Sequence, residues 1–210
     1  MNNWEIAKKV FDEELQEINE KNIYEFVRLC FLKLTPDYFW QAPASSSGKH
    51  HPEISNGKYG LIRHVKLACW WAKKLEESLG DQSICRDVIL AACLLHDLQK
   101  FGTVMKDGKP TLPNYASTHG ALLALQMEDI YNDFRIDVSN SDYEKKVDKW
   151  LKKIISSVGL HMGKWSDTRL TEFRYGNSPE SQIVHLADYC ASKKVDSKID
   201  RLEKWEFPNV

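Results

Sequence analysis

Apolar residues recur at helical spacing along most of the chain. Ile6, Val10, Phe11, Leu15 and Ile18 predict a first helix over 3–19. Asn22 with Glu25 three residues on reads as a capping box for a second helix through Leu34, stopped by Pro36. Ile62, Val65, Ala68, Cys69, Ala72, Leu75 and Leu79 predict a helix over 61–79. The unbroken apolar run Val88 to Leu95 predicts a buried helix over 84–100, with Asp87 in its first turn and Gly102 at its end. Ser117 reads as the N-cap of a helix through Phe134. Val147, Trp150, Leu151, Ile154, Ile155 and Val158 predict a helix over 144–158, and Val184, Ala187, Ala191 and Val195 a last one from Ser178 or Pro179 to Lys204. Residues 103–116 and 166–178 read as turns and loop, and no strand is predicted.

The expected fold is therefore all-α, one compact helical bundle spanning 1–210. Residues 1–39 form a packing layer, 40–60 a long loop rich in Ser, Gly and Pro, and 61–204 the core. A long loop in a compact domain is functional or disordered. Ser45 to Gly48 with Lys49 and Lys58 would suit a phosphate, although a surface loop explains them equally well.

Polar residues break the apolar stripes at a few points. His64 shares the face of Ala68, Trp71 and Leu75. His96 and Asp97 end the buried run, with Lys100 three residues on. His119 opens its helix, His161 continues the stripe one turn beyond Val158, and Asp188 lies within the last stripe. A buried carboxylate without a cation is costly. His185, one turn before Asp188, is the local alternative partner. One inward histidine is ordinary core; six imidazoles and carboxylates at the ends or inner faces of separate helices point to a shared cation. That donor set suits Mn, Fe, Ni, Co or Zn.

His64, then His96-Asp97 inside His-Asp-Leu-Gln-Lys, then a distant Asp188, resembles the HD-domain metal-dependent phosphohydrolase superfamily over residues 40–195. The loop from Pro43-Ala44 to His50-His51 and the stretch Leu160-His161-Met162-Gly163-Lys164 look locally most like the HD domain of bacterial 3′–5′ exoribonucleases. No OB-like module precedes the domain, and Met162 stands where those enzymes often carry a second histidine. The resemblance implies a metal site in a central cleft. His64, His96, Asp97 and Asp188 would hold a first ion, Asp97 would bridge, and His119 and His161 would hold a second, for a content of one or two ions. A metal-bound water would attack, and Asp97 and Lys100 would be the catalytic residues, Lys100 meeting the phosphate. Lys49, His51, Arg63 and Lys164 are candidate substrate contacts, and Trp40 and Trp165 candidate base-stacking rings.

Charge narrows the partners. Lys+Arg 29 against Asp+Glu 30 gives a formal net charge of -1, which disfavours a strong non-specific grip on nucleic acid. Five cysteines without close spacing read as buried free thiols in a reducing compartment. With no secretory signal and no apolar run near the ~20 residues of a membrane span, the expectation is a cytoplasmic protein without membrane contact. The first reading is a phosphohydrolase of nucleotides or related small phosphate esters. The second is a 3′–5′ exonuclease or phosphodiesterase on single-stranded RNA or DNA. The third is a metal-stabilised nucleotide-binding regulatory protein without turnover.

Overall fold

The computed structural model describes residues 1–45, 51–102, 105–106, 109–110, 118–134, 141–166, 178–193 and 205–208. The described residues form eight α-helices in order: α1 Asn3–Val10, α2 Asp12–Gln16, α3 Lys21–Leu34, α4 Gly60–Leu79, α5 Arg86–Leu95, α6 His119–Asp133, α7 Asp142–Leu160 and α8 Pro179–Ala191. A two-stranded antiparallel ribbon, β1 Met105–Lys106 with β2 Lys109–Pro110, stands in a stretch expected to hold turns alone.

Helix α5 is the axis of the bundle. Val88 to Leu95 are all buried, and α3, α4, α7 and α8 pack around them. A helix apolar on every side must lie inside. Its start is tied down by Asp87, whose Oδ2 accepts from the backbone N–H of Asn19 (2.9 Å) and Glu20 (2.6 Å). Asp87 thus fixes the α2–α3 turn as well as favouring the α5 dipole.

Several boundaries differ from expectation. The first helix breaks at Phe11, whose fully buried ring wedges between Phe31 and Trp40, with centroids at 5.8 and 6.4 Å. Burying that ring outweighs helix continuity. Helix α3 is capped by Glu20 accepting from Asn22 N–H, while Glu25 instead pairs with Arg28. Helix α5 stops at Leu95, not at residue 100. Three-residue turns take over, closed by the N–H groups of Leu98, Lys100 and Gly102. Ser117 lies outside the described residues; Thr118 occupies the N-cap of α6 and makes no side-chain capping bond. Ser141 with Glu144 forms a capping box that starts α7 earlier than expected. Helix α8 is described only to Ala191, and 194–204 lie outside the described residues. The 40–60 stretch carries a short 3-10 turn at Glu53–Ser55 packed on α4. Cys30, Cys69 and Cys93 are buried, whereas Cys85 and Cys190 are half-buried. Among the described residues, no helix is long and apolar enough to cross a membrane.

The layer α1–α2 is pinned to α4 by a buried ion pair, Lys66 Nζ to Glu14 Oε2 at 2.9 Å. Removing one partner strands the other charge. Lys66→Met should cost about 3 kcal/mol by denaturant unfolding. The double change Glu14→Leu, Lys66→Met should recover most of it. A second pair sits at the start of α8, where Glu180 is 1% exposed and accepts from Lys153 Nζ at 2.6 Å. Burial alone would raise its pKa, but Lys153 and the α8 N-terminal backbone hold it below the usual glutamate value. The stabilisation is present above the unfolded-chain pKa of about 4.3 and is lost as pH falls through the lower folded value. Glu180→Gln should therefore flatten the drop in Tm below about pH 4.5, measured by thermal scans across the acid range.

Candidate metal centre

Four helices and one turn deliver their polar residues to one point. His64 comes from the second turn of α4. His96 and Asp97 come from the turn after α5, His119 from the first residue of α6, His161 from the residue after α7, and Asp188 from the last turns of α8. The side chains of His64 and Asp97 are fully buried and that of Asp188 is 15% exposed. Three-residue turns after α5, rather than further helix, point His96, Asp97 and Lys100 into the same space. Tyr38 braces that turn: its hydroxyl donates to the Gly102 carbonyl (2.6 Å) and accepts from Phe101 N–H (3.0 Å). Gln99, 1% exposed, exchanges amide hydrogen bonds with Gln126 of α6 and donates to the Leu34 carbonyl.

The donor atoms form two nests that share Asp97. In the first, His64 Nε2 lies 3.0 Å from Asp188 Oδ1 and 3.3 Å from His96 Nε2; both histidine nitrogens are 3.4 Å from Asp97 Oδ2. In the second, His119 Nε2 lies 3.0 Å from Asp97 Oδ1 and 3.0 Å from His161 Nε2, with His161 Nε2 3.7 Å from the same oxygen. Ligands about 2.0–2.2 Å from one ion sit roughly 3–3.5 Å from each other. The observed spacings would let each nest hold a metal ion.

The rings are also turned for that purpose. His96 donates from Nδ1 to the Cys93 carbonyl (2.7 Å) and His161 from Nδ1 to the Val158 carbonyl (2.6 Å). A neutral ring so committed leaves its Nε2 lone pair for a cation. Charge is consistent with this. Burial pushes Asp97 up, yet Lys100 and His96 hold it well below the usual carboxylate range. Burial likewise opposes ionisation of Asp188, and hydrogen bonds from His64 and His96 hold it low. Burial, then His119 and His96, push His161 down to about 3, and burial pushes His64 down. His96 is raised well above its ordinary value: Asp97 and Asp188 together outweigh the burial that would lower it. The proton it holds is one that a cation would displace. Two anionic carboxylates among buried imidazoles make a fitting bed for divalent ions.

A cavity of about 520 Å³ opens from the cluster. Lys100 reaches it, its Nζ 2.5 Å from Asp97 Oδ2. His51 also lines it, its ring 5.0 Å from that of His64 and its buried Nδ1 without a hydrogen-bond partner among the described residues. Burial, then His64, lowers the His51 pKa to about 3, so that ring is neutral.

Not every expected residue arrives. Lys49 and His50 lie outside the described residues. Arg63 turns away to the Lys58 carbonyl (3.2 Å) and the Trp205 ring. Lys164 holds its Nζ over the ring of Trp165, which lines the cavity. Trp40 is buried in the α1–α3 aromatic cluster, its Nε1 donating to Asn3, and cannot stack on a base. His185 does not pair with Asp188; it donates from Nδ1 to the His161 carbonyl at 2.6 Å.

The HD domain profile matches residues 61–193. This chain belongs to the HD domain family. It is also 30% identical over 201 residues to the dihydroneopterin 2′,3′-cyclic phosphate phosphodiesterase of Methanocaldococcus jannaschii, covering 90% of this chain and 67% of that protein. No solved structure matches it significantly. As an HD protein it is a metal-dependent phosphohydrolase of small phosphorylated compounds, and the cation it uses is divalent.

One residue of this HD fold escaped the sequence reading because its role is to lack a side chain. A Cβ on Gly120 would lie 2.8 Å from His161 Cε1 and from the Val158 carbonyl oxygen. Gly120→Ala should push His161 off its tether, and the purified variant should retain less divalent metal than wild type by elemental analysis, at unchanged helical content by circular dichroism.

Proposed function

We propose that this HD phosphohydrolase is a phosphodiesterase that opens a small cyclic phosphate ester of the 2′,3′ type, using two divalent transition ions. His64, His96, Asp97 and Asp188 hold one ion; Asp97, His119 and His161 hold the other. The observation that carries this reading is the division of Asp97: Oδ2 faces one pair of imidazoles at 3.4 Å while Oδ1 faces another at 3.0 and 3.7 Å. The relative's named substrate, a 2′,3′-cyclic phosphate, supports the choice of ester. The donor set suits manganese, iron, nickel, cobalt or zinc.

Bound divalent ions would neutralise the phosphate and make water acidic enough to attack at neutral pH. The reaction adds that water's oxygen to phosphorus and breaks one ring P–O bond. The released ester oxygen leaves as a hydroxyl carrying the water's proton, and the product is an acyclic monoester. Lys100 has two tasks. Its ammonium holds Asp97 ionised and oriented, and its 17%-exposed side chain offers charge to a phosphate oxygen in the cavity. His51, neutral and without a partner at Nδ1 among the described residues, would meet the substrate from the 40–60 stretch. Arg63 and Lys164 have peripheral parts in this reading, since both engage aromatic rings, and Lys49 lies outside the described residues.

The test is hydrolysis of 2′,3′-cyclic nucleotides by the metal-loaded protein, beside mononucleotides and a short single-stranded RNA. Cyclic-ester turnover dependent on added metal is expected. Stepwise shortening of the RNA alone would overturn the reading in favour of a nuclease, and bound metal without turnover would favour a regulatory binder. Lys100→Ala should lower kcat about 10²–10³-fold with metal content retained; unchanged kinetics would limit Lys100 to pairing with Asp97. Asp97→Asn should lose turnover and metal together.

A further inference from the structure

The outer half of the cavity is not used by the phosphate chemistry. Trp165 and Tyr189 line it, with 51% and 42% of their surfaces exposed. Each ring carries an ammonium: Lys164 Nζ lies 4.6 Å from the Trp165 centroid and Lys193 Nζ 4.3 Å from that of Tyr189. Two large rings on a concave wall, each flanked by a cation, form a stacking surface for a flat electron-rich ligand.

The same cavity contains a fixed polar group. With His185 Nδ1 donating to the His161 carbonyl at 2.6 Å, the acceptor position of the ring is Nε2. That atom makes no hydrogen bond among the described residues. The ring occupies a space made for it. Gly163 has φ +57°, and a Cβ there would lie 2.4 Å from His185 Cε1 and 2.6 Å from Nε2. A polyol phosphate would leave in water the ring surface that the two ammonium groups do not cover. A flat heterocycle with an N–H on its edge would cover the faces and give Nε2 a donor.

We propose that this outer half is a subsite for a flat nitrogen heterocycle on the substrate, stacked on Trp165 and Tyr189 and donating an N–H to His185 Nε2. The inference rests on the cyclic-ester reading, which names the reacting group and not what carries it. His185 acts here as a specificity residue and is not a metal ligand.

The experiment compares guanosine 2′,3′-cyclic phosphate with glycerol 1,2-cyclic phosphate on the metal-loaded full chain. Binding of guanosine, which has no phosphate, is followed by calorimetry alongside. Wild type should prefer the guanosine ester by about ten-fold or more in kcat/KM. Trp165→Ala and Tyr189→Ala should each raise KM for that ester about ten-fold and weaken guanosine binding to match. Their effect on the glycerol ester should be several-fold smaller. His185→Asn keeps an N–H near the Nδ1 position and removes the acceptor; it should raise KM for the guanosine ester without loss of metal. Equal preference for the two esters, equal losses on both, or guanosine binding indifferent to the three changes would overturn the subsite. If neither ester is hydrolysed while guanosine still binds through these residues, the cyclic-ester reading falls and the subsite stands.

Discussion

The structure depends on a single carboxylate taken wholly out of water. Asp97 is fully buried, and an isolated anion there would be untenable. It is sustained by a lysine 2.5 Å away and by four imidazoles that approach from separate helices. Each approach requires a helix end or face to lie within a few ångströms of one point. The positions of α4, α7 and α8 around α5, and of α6 against α7, therefore serve the charge as well as the core.

Rigid backbone carries that constraint outward. Carbonyls of Cys93 and Val158 set the rings of His96 and His161, and the carbonyl of His161 in turn sets His185. Tyr38 and the Gln99–Gln126 pair lock the turn that carries His96, Asp97 and Lys100. Side chains held this way lose little freedom when a ligand arrives, which is the condition for a preorganised site. The missing Cβ atoms of Gly120 and Gly163 are part of the same arrangement, because each clears space for an imidazole.

Much of this was legible in the sequence, for reasons that also mark its limits. An apolar run ending in His96-Asp97, and single imidazoles or carboxylates on apolar faces, are violations of binary pattern, and such violations can be read without a structure. The helices were legible from periodicity. Their ends were less so, since the break at Phe11 and the stop of α5 at Leu95 are imposed by tertiary packing. Arg63 and Trp40 were placed by residue type alone, and only the fold shows one turned to Trp205 and the other sealed beneath α1. His185 stood as the alternative partner for Asp188 because they are one turn apart; the carbonyl that it meets lies 24 residues away. Tyr38 and Gly120 gave no signal, and Gln99 and Gly163 none of what they brace or clear, since bracing and vacancy leave no mark on polarity.

The most direct test of the bridging role of Asp97 is anomalous diffraction from crystals grown with manganese. Two peaks about 3.5–4 Å apart are expected, one against His64, His96 and Asp188 and the other against His119 and His161, each touching a different oxygen of Asp97. A single peak, or two peaks that share no contact with Asp97, would contradict the account.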